Sequence, residues 1–495
     1  MIISDYKSKD VLLIFPQTGI DLKGVNLQMP MGLMCLAAVL VEKGYKVTIL
    51  DQRVTRDFFK KLKQALKNRP ICVGLTSMTG SQILYGIKIS TFIRKNSGIP
   101  IVWGGTHPTL TAEQTLRNKN IDIVVRGEGE ITFWELVDTL FIKKSLEDIK
   151  GVSWKAGEKI CHNPEREVMD LNTLPPIPYH LVDMEEYVYS QIPGRKRSLD
   201  VYTSRGCPGS CIFCYNRSLH KSRFRARNID AVIKEIEFLV KEFNLDSVFI
   251  NDDNFFVDAQ RSHYFCECLT EKKIVPEWGC QGVRVDSLEK IDFDILEKSG
   301  CSNLYVGIES GSEKILKYIK KQISIKQIKN IIDRFAGSRI IAHYNFMVGY
   351  PIEGIEELSE TMDLVDHIMK VDPKAHFSSF HSITPYPGTE FYDIAKGYGF
   401  IPPSTLEGWA NIRWETENTP WVSSRMRTIN SNITWLTYFI DGKVLYKTKD
   451  RSLSMMIIKV LMALARLRWK HRIFEFCPEC YVANKLINYK INMRK

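Results

Sequence analysis

Two long stretches of this chain alternate short apolar runs with amphipathic ones, a rhythm that admits little besides parallel sheets covered by helices. In the first stretch, strand candidates fall at Val11 to Phe15, Lys46 to Leu50, Ile71 to Leu75, Pro100 to Trp103 and Ile121 to Val125. Helices fit between them, for example Gly32 to Glu42 ending at Gly44, and Ile83 to Lys95 ending near Gly98. This pattern predicts a Rossmann-like or flavodoxin-like α/β domain over residues 1–145, a fold that binds ligands at the carboxyl ends of its strands. A second series has candidates at Leu199 to Thr203, Ser247 to Ile250, Glu277 to Gln281, Asn303 to Gly307, Ile340 to Val348 and His376 to Ile383. It fits a partial (β/α)6 barrel over 198–390. In the intervening linker, 146–197, Gly151 to Lys159 reads as a short hairpin and Leu174-Pro-Pro-Ile-Pro-Tyr as a Pro-rich connection. The remainder, 391–495, is expected to be mainly helical and to end in a basic amphipathic tail.

Cys207, Cys211 and Cys214 follow the first strand of the second series, in the run Thr-Ser-Arg-Gly-Cys-Pro-Gly-Ser-Cys-Ile-Phe-Cys-Tyr-Asn. Three thiolates so spaced can hold three irons of a 4Fe-4S cube and leave the fourth without a protein ligand. Metal sites that do chemistry keep such a position open. Pro208 and Gly209 favour a tight path between the first two sulfurs, and Gly206 permits the sharp entry from the strand. The spacing alone also admits a Cys3His zinc knuckle closed by His220 or a distant Cys, whereas the bacterial-ferredoxin spacing is absent. Later strand ends carry polar or glycine-rich turns: Asn251-Asp252-Asp253-Asn254, Gly307-Ile-Glu309-Ser310-Gly311 and Gly349-Tyr-Pro351-Ile-Glu353-Gly354. The first can accept hydrogen bonds from a ribose or an amine, or simply cap the following helix.

The cysteine loop, with Phe213 as its aromatic residue, resembles the signature of the radical S-adenosylmethionine (radical SAM) superfamily. That resemblance implies a 4Fe-4S cluster whose open iron is chelated by SAM, and reductive cleavage of SAM to a 5′-deoxyadenosyl radical. It also implies SAM contacts at Glu309, Ser310 and Gly349, with Asp252 and Asp253 weaker candidates. In the first half, Thr76-Ser77-Met78-Thr79, Gly104-Gly105-Thr106-His107-Pro108 and Arg126-Gly127-Glu128-Gly129-Glu130 resemble the cobalamin-binding domain that precedes the barrel in one subgroup. Ser77, Thr79, Gly104, Gly105, His107, Arg126, Gly127 and Glu128 are then the implied cobalamin contacts. Thr384-Pro-Tyr-Pro-Gly388-Thr389 looks like a segment common in the same subgroup. The first strand, however, leads into Phe15-Pro-Gln-Thr-Gly-Ile-Asp21-Leu-Lys-Gly24, with no Asp-x-His-x-x-Gly. The lower cobalt face is therefore expected to carry water or nothing. The implied reaction is methylation of an unactivated carbon, or of phosphorus, in a small or lipid-like substrate, fed by a flavodoxin- or ferredoxin-type electron donor. Two alternatives stand beside it: a cobalamin-linked oxidative cyclase or rearrangement enzyme, and a cobalamin carrier or sensor with a structural cluster.

Charge and cysteine usage bound the setting. The chain of 495 residues carries a net +11, but from Lys443 onward thirteen Lys or Arg meet three acids, a local +10. The rest is near neutral, so no nucleic-acid partner is expected. Within the tail, Leu453 to Arg472 is an apolar run broken by Lys459 and followed by a basic, Trp-bearing segment. This is the composition of an interfacial helix, or of a final helix packed on the protein with a solvated basic end. Scattered cysteines and an N-terminus without a signal-peptide pattern predict a cytoplasmic protein, membrane-associated if the tail is interfacial. Cys477 and Cys480 read as free thiols and Cys266 and Cys268 as packing residues. Trp409, Trp414, Trp421 and Trp435 supply apolar area for a second core or a cap on the barrel mouth.

Overall fold

The computed structural model describes residues 9–19, 21, 27–190, 192, 194–274, 277–378, 380–412, 419–441 and 453–478. In the first unit, β1 (Asp10–Phe15), α1 (Met31–Glu42), β2 (Lys46–Asp51), α2 (Phe58–Lys67), β3 (Val73–Thr76), α3 (Gln82–Asn96), β4 (Ile101–Gly104), α4 (Thr106–Leu110), α5 (Ala112–Arg117), β5 (Ile123–Val125) and α6 (Gly129–Phe141) alternate as expected. The sheet order is β2-β1-β3-β4-β5, all parallel, extended by the antiparallel pair β6 (Val152–Ala156) and β7 (Lys159–His162). The hairpin thus joins the first sheet, which runs past residue 145. Helices cover both faces, which is why Leu13, Val73, Ile101 and Val124 are all fully buried without alternation. Gly86 on α3 lets Trp103 of β4 lie against the helix: a Cβ at 86 would stand 2.8 Å from the indole, whose Nε1 donates to Ser90 Oγ at 3.0 Å.

The second unit is a parallel sheet in the order β8-β11-β12-β13-β14-β15. Its strands are β8 (Ser198–Val201), β11 (Ser247–Ile250), β12 (Glu277–Arg284), β13 (Cys301–Glu309), β14 (Ile341–Val348) and β15 (His376–Phe377). A two-residue ribbon, β9 (Ser204–Arg205) against β10 (Arg225–Ala226), brackets the cysteine loop and α7 (Asn216–His220). Outer helices include α8 (Ile229–Phe243), α9 (Ala259–Lys272), α10 (Val285–Leu288), α11 (Phe293–Lys298), α12 (Glu313–Tyr318), α13 (Ile325–Ala336) and α14 (Ile355–Val371). Their starts are chemically marked: Asn228 accepts from the N–H groups of Asp230 and Ala231, and Ser324 with Gln327 closes a capping box on α13. The last strand candidate divides, because His376–Phe377 and β16 (His381–Ser382) each pair with β14 as separate short strands.

Beyond the barrel, α15 (Glu390–Gly397), α16 (Ser424–Ile440) and α17 (Leu453–Lys470) follow. The end of α17 is docked: Trp469 is buried, its Nε1 donates to Asp366 on α14 at 2.8 Å, and Arg472 pairs with Asp363 and Asp366. Cys477 is disulfide-bonded, which corrects the free-thiol expectation there, while Cys480 and Trp414 lie outside the described residues.

Candidate active site between the two sheets

The cysteine loop is pinned from the second barrel strand. At the end of β8, Asp252 accepts from Thr203 N at 2.7 Å, Thr203 Oγ1 at 2.5 Å and Ser204 Oγ at 2.6 Å. Burial pushes the Asp252 carboxyl up, against the pull of those hydrogen bonds. Asp253 accepts from Gly206 N at 2.7 Å. Only glycine serves at 206, with φ of +89° and the carbonyl of Arg223 standing 2.0 Å from where a Cβ would be. Both aspartates therefore hold the loop, and Asp253 also faces the cavity described below.

The donor set around the three thiols fits a cluster. Gly209 N reaches Cys207 Sγ at 3.4 Å, Asn254 Nδ2 the same sulfur at 3.8 Å, Arg284 Nη1 Cys211 Sγ at 3.3 Å, and Asn216 N Cys214 Sγ at 3.5 Å. Such donors complement thiolates, the form that binds iron. Without metal, burial raises the Cys207 thiol and pushes Cys214 up to about 12. Phe213 packs partly buried against the core. Among the described residues no three or more His, Cys, Asp and Glu side chains gather as a shell for one metal ion. A cube spreads its thiolates over three irons and does not need that convergence. His220, the candidate zinc ligand, is engaged elsewhere: Nδ1 meets Glu128 at 3.1 Å and Nε2 lies 3.8 Å from Asp253.

At the ends of β13 and β14, Glu309 adopts φ of +72° and pairs with buried Lys321 at 2.8 Å. Ser310 is fully buried, bonding Thr361 Oγ1 at 3.1 Å and receiving Ser312 N. Gly349, at φ of +83°, donates to Glu353 at 2.5 Å and accepts from Trp421 Nε1 at 2.8 Å. Burial pushes the Glu353 carboxyl up to about 8. Among the described residues, Tyr350 Oη, Glu353 Oε1 and Asn430 Oδ1 are buried without a hydrogen-bond partner, unmet polar capacity of the kind a bound ligand fills. Sequence reasoning passed over Lys321, Tyr350, Arg284 and Asn430, each far from the cysteines along the chain.

A cavity of about 750 Å³ opens between the carboxyl ends of the first sheet and the cysteine loop. Gly104, Gly105, Gly127 and Glu128 line it from one side, and Tyr215, adjacent to Cys214, with His220 from the other. A Cβ at Gly127 would meet nothing within 4 Å, so that edge is bare, while one at Gly105 would come 2.7 Å from Thr76 Oγ1. Glycine edges above a cavity with Phe15, Met31, Leu75 and Phe133 in its wall suit a broad macrocycle, so the residues fit cobalamin. Ser77, Thr79, His107 and Arg126 are not on this wall. Thr79 Oγ1 bonds His107 Nδ1 at 2.9 Å, the His107 ring lies tilted against Trp409 with centroids 5.6 Å apart, and Arg126 reaches the carbonyl of Asn163.

An ionic seam closes the two halves on each other. Arg225 grips Glu128 with both nitrogens at 2.6 and 2.9 Å, and Arg205 pairs with buried Glu130 at 2.6 Å. Burial raises the Glu128 carboxyl, but hydrogen bonds from His220 and Arg225 outweigh it and hold the group well below the usual carboxylate range. Gly388, at φ of +78°, packs the barrel end on Leu110 of α4.

Known proteins resemble this chain in sequence and fold. Residues 201–365 match the Radical SAM superfamily and residues 22–137 the B12 binding domain. An uncharacterized methyltransferase of Pyrococcus horikoshii is 31% identical over 79% of this chain and 83% of its own. This chain belongs to the cobalamin-binding radical SAM enzymes. The anaerobic magnesium-protoporphyrin IX monomethyl ester cyclase of Rubrivivax gelatinosus is 27% identical over 74% of the chain and 68% of its own. The fold extends to the cobalamin-dependent S-adenosylmethionine radical enzyme OxsB, solved with aqua-cobalamin and S-adenosylmethionine bound, at a TM-score of 0.73 and 18% identity, covering 99% of this chain and 75% of that one. The enzyme thus uses a 4Fe-4S cluster, SAM and cobalamin.

Proposed function

We propose that the enzyme methylates an unactivated carbon, or a phosphorus, of a small or lipid-like substrate. The observation that carries this reading is a cavity walled on one side by the glycine-edged strand ends and on the other by Arg205 and Tyr215, the residues that flank the cysteine loop. When bound, the three cofactors supply a carbon-centred radical and a transferable methyl group. The chain's own residues position and shield. Asp252 and Asp253 fix the loop, and the seam of Glu128, Glu130, Arg205 and Arg225 keeps the facing walls together. A reductant of the flavodoxin or ferredoxin type completes the system.

Incubation of reconstituted enzyme with methyl-labelled SAM tests the proposal: label in the product together with 5′-deoxyadenosine is expected. 5′-Deoxyadenosine without label would favour cyclisation, the activity named for the Rubrivivax relative.

The lipid-like substrate class draws support from α17. Among the described residues no helix is long and apolar enough to cross a membrane. Yet Val460, Leu464 and Leu467 form an exposed apolar stripe on α17, continued by Ile473 and Phe476 and flanked by exposed Lys459 and Lys470. This face suits the anionic cytoplasmic surface of a membrane. Sedimentation with vesicles containing phosphatidylglycerol is expected, and is expected to fall at least fivefold in a V460S/L464S/L467S variant. Equal binding to neutral vesicles, or none, counts against it.

A further inference from the structure

Arg284, the last residue of β12, is 8% exposed and reaches the cluster loop from the barrel interior. Its guanidinium has no freedom. Nε donates to Asp286 Oδ1 at 3.0 Å, and Nη2 donates to Asp286 Oδ2 at 3.0 Å and to the Lys321 carbonyl at 2.7 Å. These bonds leave Nη1, which lies 3.3 Å from Cys211 Sγ and would be only 2.9 Å from a Cβ at Gly209. The small residue at 209 thus makes room for a planar cation beside the sulfurs.

Arg284 and its neighbours are not equivalent. Lys321, the other buried cation near this loop, is paired with Glu309. The carboxylate of Asp286 has a side chain 37% exposed and is screened by water, while that of Arg284 is 9% exposed. A guanidinium does not lose its proton in a protein, so this positive charge is permanent. Reduction by one electron from the external donor adds one negative charge to the cluster and its thiolates. A fixed cationic N–H on a ligand sulfur stabilises that state more than the oxidised one, and hydrogen bonds to sulfur and local charge are recognised levers on cluster potential.

We propose that Arg284 sets the reduction potential of the cluster through Cys211, raising it into the range of the electron donor. The inference rests on the cluster assignment and not on methylation as the reaction. EPR-monitored redox titration of full-length, anaerobically reconstituted enzyme tests it, in the absence of SAM, on wild type, Arg284→Gln and Arg284→Lys. Iron and sulfide content establish equal cluster loading. The Gln variant is expected to lower the equilibrium constant for reduction at least tenfold, about 59 mV more negative for a one-electron couple. The Lys variant, charged but unable to make the fork, is expected to fall between. If the Gln variant does not assemble a cluster, the Lys variant decides. An unchanged midpoint in a fully loaded variant overturns the proposal, as does an unchanged midpoint accompanied by weakened SAM binding, which would make Arg284 a SAM contact.

Discussion

His107 shows how a suggestive motif residue can serve packing. It is fully buried, bonded through Nδ1 to Thr79 and packed at a tilt against Trp409, and desolvation lowers its pKa from the ordinary 6.5 to about 3. Between those values the unfolded chain binds a proton that the native chain does not, so stability falls as pH drops from 6.5 towards 3. The full effect is on the order of 5 kcal/mol. The expected outcome is that His107→Leu flattens the acid limb of a Tm-versus-pH profile. The cobalt spectrum of the same variant should be unchanged; a spectrum showing nitrogen coordination in wild type and losing it in the variant would refute this placement. The cysteine loop was legible because one short run carries all three cysteines, although the spacing alone left a zinc knuckle open beside a cluster. Arg284, Lys321 and Tyr350 were not, since only the curling of the second sheet brings strand ends far apart in sequence near Cys211.

Among elements, the start of α6 meeting the β9–β10 ribbon is the least expected junction. Arg-Gly-Glu-Gly-Glu looked like a cofactor motif, and Gly127 and Glu128 do line the cavity. Yet Glu128 is held by Arg225 and His220 from beyond the cysteine loop, a pairing that no local pattern encodes. Breaking one partner of a largely buried ion pair costs on the order of 3 kcal/mol. Glu128→Gln should therefore lower Tm and loosen the facing walls. The ratio of 5′-deoxyadenosine to methylated product is expected to rise severalfold while cobalamin content stays constant, and an unchanged ratio would show that the seam does not couple the halves. The main strands of both sheets were readable from apolar periodicity, whereas the two-residue β9–β10 ribbon was not. The hairpin's membership in the first sheet was not, because Val152 to Ala156 carries a strand pattern without saying which edge it will pair with.

At the scale of the molecule, the carboxyl ends of the first sheet and of β8 and β11 in the second line one cavity, across which cofactors bound on the separate folds would face each other. Parallel pairing followed from the alternation of elements, but the strand order did not, and the facing of the two sheets depended on contacts such as Gly388 against Leu110 and Trp409 against Gln114. The most direct test is EPR of the holoenzyme carrying cob(II)alamin together with the reduced cluster. Splitting or relaxation broadening of the cobalt signal by the cluster spin is expected, and is expected to vanish when Cys211 is replaced by Ala. Two independent, unperturbed signals in fully loaded enzyme would contradict a shared cavity.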